Sequence, residues 1–152
     1  MENIAYYPSP LGIIKLADSG ESLTYIGFTE QSLMPESEPS PLAQRCIAQL
    51  NEYFAGHRKE FDLPLALSGT DFQTQAWRAL ASIPYGHTIS YGEQAQQLGR
   101  PKAVRAIGSA NSKNKLSIVL PCHRVVGKNG KLVGYAGGLW RKQWLLDWEK
   151  KN

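Results

Sequence analysis

Residues 83–111 read IPYGHTISYGEQAQQLGRPKAVRAIGSAN and carry the signals for two short helices in succession. Ser90 followed three residues later by Glu93 has the spacing of a capping box, so a helix is predicted from here to Leu98. Gly99 can adopt the left-handed conformation that ends a helix, and Pro101 favours the first turn of a second one. The stretch predicts a helix-turn-helix, and the alternative is a helix pair that only contributes to a core.

The second helix is predicted to run through Ala103, Val104, Ile107 and Ala110. Lys102 and Arg105 fall among its small residues, where long cationic side chains reach the phosphates or base edges of a nucleic acid. These two cations favour the nucleic-acid-binding interpretation over a helix pair that only packs.

The charges of the chain divide between its two halves. Residues 1–69 carry 4 Lys and Arg against 9 Asp and Glu, a net charge of −5. Residues 70–152 carry 13 against 4, a net charge of +9. A solvated lysine-rich surface would give the same count, but a polyanion is expected to meet only the second half. We therefore predict two domains, covering residues 1–69 and 70–152.

The first half has the pattern of a small antiparallel sheet followed by one helix. Short β-branched and aromatic runs, separated by turn-forming segments, are Ile4–Tyr7, Gly12–Ala17 and Leu23–Phe28. From Pro41, apolar residues recur at helical spacing up to Gly56, with Cys46 on the apolar face. The stretch Met34–Pro41 is the predicted linker. The expected fold class is α/β, with a small N-terminal antiparallel sheet plus helix packed on a mostly α-helical C-terminal domain.

Cysteine use and hydropathy indicate a cytoplasmic protein. The 152 residues include two cysteines, Cys46 and Cys122, with neither a CxxC pair nor the spacing of a disulfide framework. The first residues lack the basic flank and apolar run of a secretory signal, and no apolar stretch is long enough to cross a bilayer. We expect reduced thiols and no membrane partner.

The heptapeptide Pro121–Gly127, PCHRVVG, places one of two cysteines beside one of three histidines. A thiol attacks carbon as a thiolate, and a neighbouring histidine or cation lowers its pKa. Adjacent side chains on an extended chain point to opposite faces, so Cys122 and His123 need a bend or a bridging water to cooperate. Spacing alone also allows a buried inert thiol, which is the commonest case, and a cysteine hydrolase. A metal site would want more ligands than one Cys–His pair supplies.

A much longer pattern favours a reactive Cys122 over a buried inert thiol. The stretches IPYGHTISYGEQAQQLGRPKAVRAIGSANSKN, residues 83–114, and VLPCHRVVGKNGKLVGYAGGLWRKQWLLDWE, residues 119–149, resemble the C-terminal domain of the O6-alkylguanine-DNA alkyltransferases. The resemblance covers roughly residues 70–150 and is only loose in the first half. It implies a small α/β domain in front of a domain that binds DNA and transfers the alkyl group.

The resemblance implies a single-use alkyl transfer. Cys122 would be the alkyl acceptor, His123 would take the thiol proton through a water, and Glu149 would orient His123. The thiolate would displace the base from the alkyl carbon of O6-alkylguanine, or of O4-alkylthymine, and leave an inactive S-alkylcysteine. No cofactor and no metal are expected.

The same resemblance implies how the lesion is reached in double-stranded DNA. The helix-turn-helix would enter the minor groove, and the damaged base would be flipped into the protein. Arg105 would fill the gap left by the base, and Tyr91 would crowd the adjacent phosphate and contact the base. DNA-binding residues also include Lys102, Ala103 and Ala106, since small side chains allow a close approach. The protein is expected to be a monomer.

The substrate pocket implied by the resemblance is built from Asn114, Val125, Tyr135, Ala136 and Gly137. Asn114 would tie the recognition helix to the acceptor segment by hydrogen bonds to the backbone. Ala136 stands where some family members carry serine, and Lys115 and Trp140 also depart from the family pattern. These departures leave the chemistry intact and concern the range of alkyl groups accepted.

Two other functions compete with the alkyltransferase. A non-catalytic lesion-binding module would keep the DNA-binding residues, but relatives of that kind lack the acceptor cysteine that Cys122 provides. A cysteine hydrolase would use the same Cys122, His123 and Glu149 and would turn over repeatedly.

Overall fold

The computed structural model describes residues 2–30 and 38–152. Its backbone divides into two compact units, Met1–Leu67 and Ser68–Asn152. Residues 34–37 of the predicted linker lie outside the described residues. No helix within the described ranges has both the length and the apolar character needed to cross a membrane.

The first unit begins with a three-stranded antiparallel sheet. Its strands are β1 (Asn3–Ser9), β2 (Gly12–Asp18) and β3 (Leu23–Thr29), in the order β1-β2-β3. The register pairs Ala5 with Leu16 and Leu16 with Ile26, so that three buried side chains form one row. The predicted meander is confirmed, with strand ends that differ by one or two residues.

Helix α1 (Pro41–Phe54) follows the sheet, as predicted. Ser40 is its N-cap, accepting a hydrogen bond from the backbone of Ala43 and donating one to Asp18 Oδ2 at 2.7 Å. Asp18 is buried and also accepts hydrogen bonds from Asn3 and the backbone N–H of Gly20. This one carboxylate therefore ties the sheet to the start of α1.

The second unit contains three helices that share an apolar core: α2 (Asp71–Leu80), α3 (Tyr91–Gln97) and α4 (Val104–Ser112). Core side chains at their contacts are Ala76, Ala95, Ile107 and Ala110. Gln94 on α3 and Asn111 on α4 exchange two side-chain hydrogen bonds, of 3.2 and 2.8 Å, inside this core. Because buried amides left unpaired are costly, the pair specifies how α3 lies against α4.

The turn between α3 and α4 differs from the prediction. Helix α3 begins after a capping box of Ser90 and Glu93 and ends before Gly99, which has a φ of +71°, as expected. Pro101, however, occupies a turn closed by a hydrogen bond from Ala103 N to Arg100 O. Proline at the second position of a β-turn satisfies the same φ that it would adopt in a helix. Helix α4 therefore starts later than predicted, with Val104 40% exposed rather than in the core.

A two-residue parallel ladder links the start of α3 to the segment around Cys122. Strand β4 (Ile89–Ser90) pairs with β5 (Val125–Val126), and β5 directly follows a 3₁₀ turn at Cys122–Arg124. The last helix, α5 (Leu139–Lys151), begins after Gly138, whose φ is +95°. Residues distant in sequence thereby meet around Cys122.

The segment before Cys122 contains a strained residue. Ile118 is buried and has a φ of +72°, a conformation that β-branched residues rarely adopt. Hydrogen bonds from Val119 N to Ser117 O and from Leu120 N to Leu116 O close the turn on both sides of it. The surrounding core therefore holds the backbone in a shape that the isolated segment would not prefer.

Candidate active site

Cys122 is the first residue of the 3₁₀ turn and is 7% exposed. Pro121 precedes it with φ −81° and ψ 68°, which is neither helical nor extended. Of the two possibilities left open by the sequence, a bend or a bridging water, a bend is therefore present at Cys122 and His123. It turns Cys122 and His123 out of the opposed orientation of an extended chain.

His123 and Glu149 are brought together, although 26 residues separate them in sequence. His123 Nε2 lies 2.7 Å from Glu149 Oε2, and both side chains are buried. An ionised carboxylate can only accept hydrogen bonds, so Nε2 carries the imidazole proton. The other ring nitrogen, Nδ1, is buried and has no hydrogen-bond partner among the described residues. His123 therefore presents its basic nitrogen away from Glu149.

Arg124 is a site residue that the sequence analysis missed. Its Nε donates to Glu149 Oε1 at 2.8 Å and its Nη2 donates to Oε2 at 3.0 Å. Nη1 donates to the Ile83 carbonyl at 2.7 Å, and the guanidinium lies 5.6 Å from the centre of the Tyr85 ring. A usable signal was present, because an arginine followed by two valines in a buried segment requires an anionic partner.

The protonation states fit a neutral base beside an anion. Burial raises the pKa of Glu149, but hydrogen bonds and charges from His123 and Arg124 outweigh it and hold that pKa well below its usual value. Burial lowers the pKa of His123, and Glu149 only partly opposes this, while Arg124 and Lys142 add to it. At neutral pH the pair consists of an imidazole and a carboxylate.

The Cys122 thiol is protonated in the resting protein. Burial raises its pKa, while a hydrogen bond from Asn114 and the charge of Lys142 oppose the rise without cancelling it. A base is therefore needed to produce the thiolate.

Lys142 is a second residue that the sequence analysis missed. It is buried on α5, and its Nζ donates to the Val133 carbonyl at 2.8 Å and lies 3.4 Å from the Tyr91 hydroxyl. Burial lowers its pKa to about 8. Lys142, Leu145, Leu146 and Glu149 share one buried helical stripe. Two charged residues at the helical spacing of an otherwise apolar stripe indicate buried charges, and this signal could have identified Lys142 from the sequence.

Asn114 lies just beyond α4 and binds the segment that leads to Cys122. Its Nδ2 donates to the Leu120 carbonyl at 2.8 Å, and its Oδ1 accepts from Leu116 N at 3.0 Å. Together with its hydrogen bond to Cys122, these contacts anchor the strained turn at both ends.

The remaining residues predicted to form the substrate pocket occupy different environments. Val125 is fully buried in β5, Tyr135 and Gly137 are half-buried, and Ala136 is exposed. The Tyr91 hydroxyl donates to the Val133 carbonyl at 3.0 Å, which joins the start of α3 to the loop that carries these residues. A cavity of about 520 Å³ opens beside Tyr91, between the start of α3 and residues 127–129.

Of the predicted DNA-contacting residues, Tyr91 begins α3, and the other four lie in the first turn of α4 and in the turn before it. Lys102, Arg105 and Ala106 are exposed, and Ala103 is half-buried. This surface presents two cations and a small side chain to solvent. In the described part of the chain, no group of three His, Cys, Asp or Glu side chains is arranged to hold a metal ion.

Comparison with known proteins covers both halves of the chain. Residues 71–151 match the DNA binding domain, and residues 4–67 the ribonuclease-like domain, of 6-O-methylguanine DNA methyltransferase. The methylated-DNA–protein-cysteine methyltransferase of Mycobacterium bovis is 51% identical over 148 residues, 95% of this chain and 90% of the relative.

Solved structures agree with this match. A crystal structure of the Mycobacterium tuberculosis O6-methylguanine methyltransferase has a TM-score of 0.89 at 48% identity, covering 99% of this chain and 94% of that one. A structure of the Mycobacterium tuberculosis OGT protein in complex with DNA has a TM-score of 0.87 at 49% identity, covering 96% and 91%. The chain therefore belongs to the 6-O-methylguanine DNA methyltransferase family, whose members repair DNA by transferring a methyl group from methylated DNA to a protein cysteine.

Proposed function

We propose that Cys122 is the cysteine that accepts the methyl group and that His123 takes the thiol proton through one bridging water. The observation that carries this proposal is that Nδ1 of His123 is buried and has no hydrogen-bond partner among the described residues, while the preceding residue in the chain, Cys122, carries a buried free thiol. A buried polar nitrogen requires a hydrogen-bond partner, and a water between Nδ1 and Cys122 would satisfy it. Glu149, bound to Nε2, orients the ring.

The protonation states support this assignment of roles. A thiol with a raised pKa is a poor nucleophile until a base removes its proton, and a neutral imidazole is available as that base. Once the thiolate forms, the charge of Lys142 and the hydrogen bond from Asn114 stabilise it.

The reaction is an in-line displacement at a saturated carbon. The thiolate forms a sulfur–carbon bond as the carbon–O6 bond breaks, and the bonding electrons leave with the guanine, which takes up a proton. The thioether product has no ready hydrolytic exit, so each chain acts once. O4-alkylthymine presents the same kind of alkyl–oxygen bond and is the expected second substrate.

The lesion must leave the duplex before the buried thiol can reach it. We propose that α3 and α4 act as a helix-turn-helix in the minor groove, with the base flipped toward Cys122. The exposed Arg105, Lys102 and Ala106 support this use of α4. Arg105 fills the vacated position in the stack, Ala103 and Ala106 allow a close approach, and Tyr91 contacts the flipped base.

The flipped base is proposed to lie against Val125 and the loop that carries Tyr135, Ala136 and Gly137. Backbone N–H groups of this loop bind the O6 atom, and the carbonyls of Cys122 and Val125 accept from the exocyclic amine. The Cys122 carbonyl already accepts from Val125 N and retains a second lone pair for that purpose. The protein is proposed to act as a monomer without a metal.

The test is the mass of the Cys122 peptide after incubation with duplex DNA that contains O6-methylguanine. We expect one methyl group per chain, confined to Cys122, with the reaction stopping at stoichiometry. The Cys46 peptide from the same digest is an internal control and should keep its mass.

Two other outcomes would identify the competing functions. Tight binding with an unmodified Cys122 would indicate a lesion-binding module. Repeated turnover on an ester or amide substrate, with no lasting modification, would indicate a cysteine hydrolase.

A further inference from the structure

The Glu149 carboxylate is bound by more groups than the orientation of one histidine requires. Oε2 accepts from His123 Nε2 and from Arg124 Nη2, while Oε1 accepts from Arg124 Nε and lies 3.3 Å from the backbone N–H of Gly86. The histidine therefore shares its carboxylate oxygen with a guanidinium.

Arg124 is itself held in one position. Its third nitrogen donates to the Ile83 carbonyl at 2.7 Å, and its guanidinium lies over the Tyr85 ring. A planar fork anchored at three nitrogens fixes both the place and the plane of the carboxylate that it binds. A lysine here would supply the charge without fixing the plane.

We infer that Arg124 is a positioning residue for the proton transfer: it holds Glu149 so that His123 is bound through Nε2 and Nδ1 remains the nitrogen that takes the Cys122 proton. This inference rests on the proposed role of Cys122 as acceptor. It assigns to Arg124 an effect on the orientation of the base that acts through Glu149, in addition to the direct effect of the guanidinium charge on the His123 pKa.

The charges around His123 give this arrangement a measurable consequence. Glu149 and Lys142 face the ring from α5, and Cys122 and Arg124 adjoin it in the chain. Burial raises the pKa of Tyr85 and of Tyr135, and the charge of Glu149 raises both further. Without the guanidinium, the full charge of Glu149 would act on His123 and raise its pKa. An imidazolium has no lone pair to accept the thiol proton.

The experiment compares Arg124→Met, Arg124→Lys and a control, Arg78→Met, which removes an exposed arginine from α2. The first readout is the imidazole ¹⁵N NMR spectrum between pH 5 and 9. His57 and His87 are exposed and provide two reference signals in the same spectrum. The second readout is the single-turnover rate of methyl transfer over the same pH range.

We expect the unmodified protein and Arg78→Met to show a neutral His123 with its proton on Nε2 at pH 7. In Arg124→Met, the His123 titration and the rising limb of the rate profile should both move up by about one pH unit, because a nearby opposite charge shifts a pKa by that order. The rate should fall by up to about tenfold at pH values below the His123 titration, and the difference should shrink at higher pH, where His123 is neutral in both proteins. Arg124→Lys should retain the ionisation of His123 and lose part of the rate.

Glu149→Gln provides the decisive background. Because the charge of Arg124 also lowers the His123 pKa directly, some shift should remain in Glu149→Gln, but Arg124→Met should move the His123 titration and the pH profile less in that background than in the protein that keeps Glu149. A His123 titration that does not move in Arg124→Met, or an equal shift in both backgrounds, would overturn the inference.

Folding and acceptor identity are separated from this test. Urea unfolding shows whether each variant is folded. If Arg124→Met is unfolded, the same comparison is made with Arg124→Lys. A reduced rate of transfer with normal ionisation of His123 in that variant supports the positioning role. If the methyl group is found on a residue other than Cys122, the proposed function fails. The effect of Arg124→Met on the His123 titration can still be measured by NMR in that case.

Discussion

The two halves of this protein each bury one cysteine, and the two thiols have opposite surroundings. Burial and, to a smaller degree, the charge of Asp18 together raise the pKa of Cys46 to about 12. Burial also raises the pKa of Cys122, but Asn114 and Lys142 oppose the rise. Burial therefore protects both thiols, and the neighbouring groups determine which one can react.

The largest expected effect is the loss of the Cys122 thiol, with the loss of the Cys46 thiol as its control. Cys122→Ala should abolish methyl transfer while DNA containing O6-methylguanine is still bound, because the DNA-contacting residues are untouched. Cys46→Ala should transfer one methyl group per chain at the normal rate. The measurements are intact mass and DNA binding by fluorescence anisotropy. Transfer by Cys122→Ala would show that the acceptor is assigned to the wrong residue.

The second prediction removes the cation near Cys122. Lys142→Met should slow transfer about tenfold at pH 7, because the loss of positive charge raises the pKa of Cys122 by about one unit. Lys142 has a pKa of about 8, so the unmodified protein itself loses this charge at higher pH. The difference between the two proteins should therefore shrink above about pH 8.

Lys150→Met is the matched control, since Lys150 is exposed on the same helix. The measurement is the single-turnover rate of each protein from pH 6 to 9. Urea unfolding checks that each variant is folded. A rate ratio that stays constant across this range would show that Lys142 supports structure rather than charge.

The third prediction concerns the DNA surface of the second unit. Arg105→Ala should slow transfer from duplex DNA about tenfold, because the vacated position in the base stack stays unfilled and the flipped base returns more readily. Transfer from free O6-methylguanine should be unchanged. Arg78→Ala, an exposed arginine on α2, is the control. Equal losses with both substrates would remove the base-flipping role from Arg105.

The smallest effect on transfer is expected from the anion beside Cys46. Asp18→Asn should leave Cys46 unmethylated, because burial still raises its pKa. It should lower the free energy of unfolding by about 1–2 kcal/mol, since Asp18 accepts hydrogen bonds from Asn3, Gly20 and Ser40. Urea unfolding and the mass of the Cys46 peptide test both statements. Methyl transfer to Cys46 would contradict the comparison.

Local sequence signals account for most of the fold. The capping box at Ser90 and the glycine at position 99 set both ends of α3 correctly. The predicted start of α4 was wrong because the φ of Pro101 fits a β-turn and a helix equally well. Only the hydrogen bond between Arg100 and Ala103 distinguishes the two structures. Proline limits its own backbone angle without specifying the structure that follows.

Some residues of the candidate site were also predictable from the sequence, and others were not. His123 was predicted beside Cys122, and its contact with Glu149 was implied by family resemblance, since nothing local joins residues 26 positions apart. Arg124 and Lys142 were overlooked because charged residues are usually exposed, and their partners become known only from the tertiary structure. The positive φ of Ile118 has no sequence signal either, because β-branched residues disfavour it.

The turn at Ile118 also affects the chemistry of the protein while it is not fully folded. A β-branched residue in the left-handed region costs about 1–2 kcal/mol, so the segment adopts this shape only after the surrounding core has formed. In a nascent or partly opened chain, Cys122 is therefore an ordinary flexible thiol that lacks both the hydrogen bond from Asn114 and a fixed position relative to His123, its proposed base.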